Sequence, residues 1–144
     1  MNEVCIYIDG SCSGNPGPGG WSAVCECNGK IRQSSGYENY ATNNSMELKG
    51  AIGALKALRI RGCDVILYTD SAYLISNANH DDEWLIKPGH ANRELWIEYL
   101  RIRNDGKYNV KFVKVKAHSG NKMNELADKY AKQACMIAKH CAKG

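Results

Sequence analysis

A chain of 144 residues with a formal charge of +4 fits one ordinary domain, long enough to bury most of its apolar surface without covalent staples. A hydrophobic content of 44% and a charged content of 24% exclude a disordered chain, and no apolar run approaches the roughly 20 residues of a membrane span. The mild basic balance permits a polyanionic partner without demanding one. The seven cysteines are odd in number, no pair of C-x-x-C motifs is present and no signal peptide is seen. That pattern argues against a disulfide framework or structural zinc and for a reducing, cytoplasmic home. Cys25 and Cys27 share one face of a predicted strand, where packing is favoured over a metal site.

In chain order, Val4 to Ile8 reads as a strand ending in a carboxylate, Asp9. The run from Gly10 to Gly20 is so rich in Gly and Pro that it predicts loop. Trp21 to Cys27 resumes strand character, Asn28-Gly29 is a hairpin signal, and Ile31 to Tyr37 is the returning strand. Asn44 with Glu47 resembles a capping box ahead of a helix to about Arg59, its apolar stripe carried by Leu48, Ile52 and Leu55. Gly50 and Gly53 inside that helix predict close packing on the sheet.

Asp64 to Tyr68 is a short β-branched run, the mark of a buried strand, and it too ends in a carboxylate, Asp70. A short helix follows from Ser71, then a polar connection from Asn77 to Gly89, then an amphipathic helix from His90 or Ala91 to about Arg103. Val110 to Val115 alternates apolar residues with lysines, as an edge strand does. Lys116 to Lys122 reads as loop and Met123 to about Cys141 as the closing helix. The order β-β-β-α-β-α-α-β-α predicts an α/β fold: a mixed five-stranded sheet flanked by helices. The first and Asp64 strands should be joined in parallel by a right-handed crossover.

Two adjacent parallel strands that both end in Asp place Asp9 and Asp70 roughly 5 Å apart. Glu47 falls in the first turn of the crossover helix and Asp128 early in the closing helix. Singly, each has an ordinary reading: a turn cap for Asp9, a capping box for Glu47, a solvated helix residue for Asp128. Together they repel one another, and divalent cations are the usual remedy. Mg²⁺ prefers oxygen ligands and completes its shell with substrate phosphate, and two such ions about 4 Å apart perform in-line phosphodiester hydrolysis.

Four blocks carry a resemblance. Ile8-Asp9-Gly10-Ser11-Cys12-Ser13-Gly14-Asn15 and Thr42-Asn43-Asn44-Ser45-Met46-Glu47-Leu48 are similar to the first two signatures of type 1 ribonuclease H. Tyr68-Thr69-Asp70-Ser71 resembles the third, and Val115-Lys116-Ala117-His118-Ser119-Gly120 with Asn124-Glu125-Leu126-Ala127-Asp128 the fourth. The resemblance spans almost the whole chain. It implies a ribonuclease H-like sheet in strand order 3-2-1-4-5, and one catalytic domain over residues 1–144. It also implies endonucleolytic cleavage of the RNA strand of an RNA–DNA hybrid, leaving 5′-phosphate and 3′-hydroxyl ends. The implied metal ligands are Asp9, Glu47, Asp70 and Asp128, holding two Mg²⁺ in the substrate complex, with Mn²⁺ able to substitute.

His118 matches the family histidine that assists proton transfer or product release, and Glu125 matches a further acidic position. Gly10, Ser11, Cys12, Asn15, Asn43 and Glu47 match groups that read the RNA 2′-OH. Thr42 and Asn92 match a pocket gripping a phosphate of the DNA strand. Trp84 matches an aromatic that packs on a DNA sugar, with a core Trp as the alternative. The chain departs from many bacterial members in two respects. The segment from Asn79 to Gly89 is short and net acidic where they carry a basic handle, and Ala72 stands where a polar side chain is common. The handle's absence implies weaker hybrid binding with a shallow salt dependence. The start at Met1 suggests a free-standing protein, and a monomer is expected. The non-enzyme rival is a nucleic-acid binding module without a metal site.

Overall fold

The computed structural model describes residues 2–116 and 121–143. Ten elements follow in order: β1 (Glu3–Cys12), β2 (Gly17–Cys27), β3 (Lys30–Ala41), α1 (Asn43–Lys56), β4 (Asp64–Thr69), α2 (Ala72–Ala78), α3 (Asp82–Leu85), α4 (Arg93–Gly106), β5 (Asn109–Lys114) and α5 (Lys122–Lys143). The five strands form one mixed sheet in the order β3-β2-β1-β4-β5, as expected. The pairs β1/β2 and β2/β3 are antiparallel, while β1/β4 and β4/β5 are parallel. The lysine-bearing β5 lies at the edge.

The main core fills the α1 side of the sheet. Ile6, Ile8, Val65 and Leu67 from the central strands meet Leu48, Ile52 and Leu55 of α1 and Trp96, Tyr99 and Leu100 of α4. The period of two along β2 sends neighbouring residues to opposite faces. Trp21 turns toward α1, where a Cβ on Gly53 would strike its ring, so the close packing expected of this helix is present. Gly20 and Ser22 turn toward α5. The Ser22 hydroxyl donates to the Ala127 carbonyl, and a Cβ on Gly20 would strike the backbone at Cys135. The buried face of α5 is a column of small side chains, Ala127, Ala131, Ala134 and Ala138. Small residues on both partners let this helix lie close to the strand.

The same approach corrects the expected loop over residues 10–20. β1 continues to Cys12 and β2 begins at Gly17, with Ser11 paired to Gly20 and Cys12 to Gly19. Gly10, Gly19 and Gly20, read as loop formers along the chain, are strand residues here, kept small by a helix packed above them, while residues 13–16 remain outside the strands. A second correction concerns the start of α1. The N-cap is Thr42, whose Oγ1 accepts from the Ser45 N–H while the Ser45 hydroxyl accepts from the Thr42 N–H. Glu47 therefore takes no part in the cap and is available elsewhere. The polar connection before α4 contains one turn of helix, α3, capped by Asp81, whose carboxylate accepts from the Trp84 N–H. α1 ends at Lys56, before the expected Arg59, and α4 runs on through Gly106 to a left-handed Lys107. No helix among the described residues is long and apolar enough to cross a membrane.

Candidate active site

β1 outlasts β4. The parallel register pairs Tyr7 with Tyr68, and β4 stops at Thr69, while β1 runs on beside β2 with Asp9 opposite Ser22. Asp9 is therefore a mid-strand residue rather than a strand tip, set where the neighbouring strand departs. Asp70 is the first residue beyond β4, at the carboxyl edge where open α/β sheets bind ligands. α1 brings Glu47 to the same point. One carboxylate oxygen from each of Asp9, Glu47 and Asp70 lies within 4.8 Å of the others.

Hydrogen bonds aim Glu47. Its Oε1 accepts from the Gly10 N–H at 2.6 Å, and its Oε2 accepts from the Thr69 hydroxyl at 3.4 Å. That hydroxyl in turn accepts from the Ser71 N–H at 3.0 Å. Asp9 and Glu47 are buried, at 5% and 7% exposure. Burial first, opposed by the hydrogen bond with Glu47, and then the charge of Asp70 push the Asp9 carboxyl up from 3.8 to about 7. Burial first, and then the charge of Asp9, push Glu47 well above the usual carboxylate range. Asp128, on α5, joins the rim of the same cleft and its side chain reaches Asp9. Its Oδ2 also pairs with Lys132 Nζ at 3.0 Å, one helical turn on.

Buried acids held this close stay charged only if something positive meets them. The donors are all hard carboxylate oxygens, so the set fits Mg²⁺ or Mn²⁺. Among the described residues Cys25 and Cys27 join no such group, and each lies on β2 away from this cleft.

Hydrogen bonds tie several of the residues expected to hold substrate to their neighbours. Asn15 and Asn43 meet directly, the Asn43 N–H donating to Asn15 Oδ1 at 3.0 Å beside the Thr42 cap. Ser11 and Cys12 are half-buried on β1, and the Cys12 thiol lies against the carbonyls of Ala41 at 3.2 Å and Gly17 at 3.4 Å. Asn92, at the head of α4, donates through its side-chain Nδ2 to the hydroxyl of Tyr73 at 3.1 Å, and Tyr73 lines the same cleft as Asn43. Trp84 is partly buried against the core, with His80 stacked on it at 3.6 Å and Lys87 Nζ 4.4 Å from the ring centre. Glu125 is exposed in the first turn of α5 and does not line the cleft. His118 lies outside the described residues.

Sequence reasoning overlooked Lys132, although its spacing of four from Asp128 on a helix was the available signal. It also passed over Asn44 and Tyr73, both of which line the cleft.

Fold and site together define an α/β domain with a buried carboxylate cluster suited to a hard divalent cation. A family model described as RNase H matches residues 1–136. A protein named Ribonuclease H from Caldanaerobacter subterraneus subsp. tengcongensis is 45% identical over 149 residues, covering 96% of this chain and 94% of its own. LC9-RNase H1, a type 1 RNase H with the type 2 active-site motif, superposes with a TM-score of 0.77 at 29% identity, over 94% of this chain and 73% of that one. LC11-RNase H1, solved in complex with RNA/DNA hybrid, shares the fold with a TM-score of 0.73 at 24% identity, over 94% of this chain and 99% of that one. The chain belongs to the ribonuclease H family of enzymes.

Proposed function

We propose that the protein is an endonuclease that hydrolyses the RNA strand of RNA–DNA hybrids, acting as a monomeric cytoplasmic enzyme with one catalytic domain over residues 1–144. The observation that carries this reading is the convergence of Asp9, Glu47 and Asp70 within 4.8 Å in a chain of this family. Asp9, Glu47, Asp70 and Asp128 hold two divalent cations in the substrate complex, Mg²⁺ by preference with Mn²⁺ able to replace it. Divalent cations, when bound there, would supply charge neutralisation at the scissile phosphate and a lowered pKa for the attacking water.

The chain's own residues do the rest. The Gly10 N–H fixes Glu47, and Thr69 holds its other oxygen, so the carboxylates are oriented before substrate arrives. Gly10, Ser11, Cys12, Asn15, Asn43 and Glu47 read the 2′-OH of the RNA strand, and Thr42 and Asn92 grip a phosphate of the DNA strand. The bond from phosphorus to the 3′ oxygen breaks, leaving 5′-phosphate and 3′-hydroxyl ends. His118 assists the proton transfer or product release. Trp84 lies against a DNA sugar, and Glu125 attends the metals and nearby water from the first turn of α5.

The test is cleavage of a labelled RNA–DNA hybrid, with duplex RNA and duplex DNA as controls, for wild type and Asp70→Asn in Mg²⁺ and in Mn²⁺. Hybrid-only cleavage, lost in the variant, is the expected result. Intact hybrid binding with no cleavage by wild type in either metal would mean a binding module instead.

A further inference from the structure

α2 starts immediately beyond the carboxylate cluster, capped by Ser71, whose Oγ accepts from the Leu74 N–H. Two of its residues, Tyr73 and Asn77, are one turn apart and fasten the turn that precedes α4. Asn77 Nδ2 donates to the Tyr73 carbonyl at 2.7 Å, and Asn77 Oδ1 lies 2.9 Å from His90 Nε2. The Tyr73 hydroxyl donates its proton to the Ala91 carbonyl at 3.3 Å and accepts from Trp96 Nε1 at 3.0 Å and Asn92 Nδ2 at 3.1 Å. That is one donor and two acceptor sites, all in use.

This saturation fixes the orientation of the Asn92 amide. Because the hydroxyl proton already goes to Ala91, Tyr73 can only accept from Asn92, so the amide must present its NH₂ group. One of the two amide hydrogens is taken by Tyr73 and the second is left to a ligand. Asn92 also holds φ 62 and ψ 26, a left-handed conformation uncommon for a side chain other than glycine. Its side chain does not cap α4, the usual role of an Asn at this position. The Asn92 carbonyl accepts from the Trp96 N–H of α4 at 3.0 Å, whereas the amide is set by a neighbour from α2.

We propose that Tyr73 is a positioning residue that fixes the aim of Asn92, and its distance from Asp70, so that a phosphate of the DNA strand is gripped at a set offset from the scissile bond. The inference rests on the reading of Asn92 as a phosphate donor. Tyr73 follows Asp70 by three residues and lines the same cleft, so α2 is the strut joining the two sites.

Tyr73→Phe keeps the ring and removes the hydroxyl. KM for the hybrid should rise about fivefold, the equivalent of one hydrogen bond, with kcat within about twofold of wild type. Asn92→Ala should show a rise of similar size, and the double variant no more than Asn92→Ala alone. A second measurement separates positioning from mere loss of stability. Hybrids carrying a single neutral methylphosphonate, moved along the DNA strand, should reveal one position where wild type loses affinity. Tyr73→Phe and Asn92→Ala should both lose much less affinity than wild type on that substitution, the remainder being the contact of Thr42. Full methylphosphonate sensitivity in Tyr73→Phe, or additive losses in the double variant, would overturn the inference. The absence of any sensitive position in an active wild type would do the same. A wild type that neither binds nor cleaves the hybrid would instead overturn the functional reading, and the inference with it.

Discussion

The backbone N–H of Gly10 donates to Glu47 Oε1 at 2.6 Å, so the strand that carries Asp9 also holds the carboxylate that faces it. Two acids that repel each other are thereby kept together by the fold itself. That repulsion is stored in the metal-free protein and should be measurable.

The Asp9 carboxyl lies at about 7 in the folded protein against 3.8 for the free group, so between those values the folded state binds more protons than the unfolded chain. The contribution of Asp9 to the stability of the metal-free protein should therefore be full below about pH 4 and be lost as pH rises through about 7. Asp9→Asn should abolish most of this loss and raise stability at pH 8 in EDTA, by on the order of 2 kcal/mol. Urea unfolding across pH reads the effect. Saturating Mg²⁺ should reverse it for wild type, with about 2.7 kcal/mol of stabilisation at a hundredfold excess over Kd. A difference between wild type and Asp9→Asn in EDTA that does not change with pH would contradict the raised carboxyl of Asp9.

Lys132 occupies one oxygen of Asp128, and the pairing with that carboxylate raises the lysine's own pKa. A cation that binds Asp128 must compete with it. Lys132→Gln should lower the Mg²⁺ concentration needed for half-maximal thermal stabilisation by about twofold to fivefold, since an exposed pair contributes on the order of 1 kcal/mol or less. An unchanged or higher midpoint would mean that the lysine does not compete at this carboxylate.

Gly20 is the strand position on which α5 rests, and any Cβ there meets the Cys135 backbone. Because backbone cannot swing aside as a side chain can, Gly20→Ala should cost about 1–3 kcal/mol in urea unfolding. Gly29, at the β2–β3 turn, has open space around it but φ 78. Gly29→Ala should be destabilising through backbone strain, by about 1 kcal/mol. A smaller loss at Gly20 than at Gly29 would show that α5 can shift.

Between α2 and α4 stands only the four-residue α3, with Asp81, Asp82 and Glu83 around it, and Asp82 is paired with Arg103 at 2.6 Å. Few cations there can reach phosphate. Hybrid binding by Asp70→Asn, measured from low to high salt, should therefore give a slope matching fewer than about six phosphate contacts. A steeper slope would point to cations elsewhere on the surface replacing the handle.

Much of this architecture could be read from the chain because its causes are local. Alternation of apolar residues in Ile6, Ile8, Val65 and Leu67, the Asn28-Gly29 turn and the helical stripe of Leu48, Ile52 and Leu55 each act over a few residues. The crossover rule gave the parallel pairing of β1 with β4 and the lysines of β5 suited an edge, while the full strand order came with the family resemblance. Asp9 and Asp70 were legible for the same reason, as acids placed after apolar runs, whereas Glu47 and Asp128 stood out as acids early in their helices.

What the tertiary structure alone decided were pairings between distant segments. Glu47 looked like a capping partner of Asn44, three residues away, yet its oxygen is taken by Gly10, 37 residues away. Glycines from residue 10 to 20 looked like loop because backbone freedom is their local property. Their small size became the relevant one only once α1 and α5 packed above β1 and β2. The Tyr73 hydroxyl found Asn92 and Trp96 across 19 and 23 residues, a meeting that no periodicity encodes. Spacing along the chain reports which face a side chain takes, whereas its partner is set by the packing of whole elements.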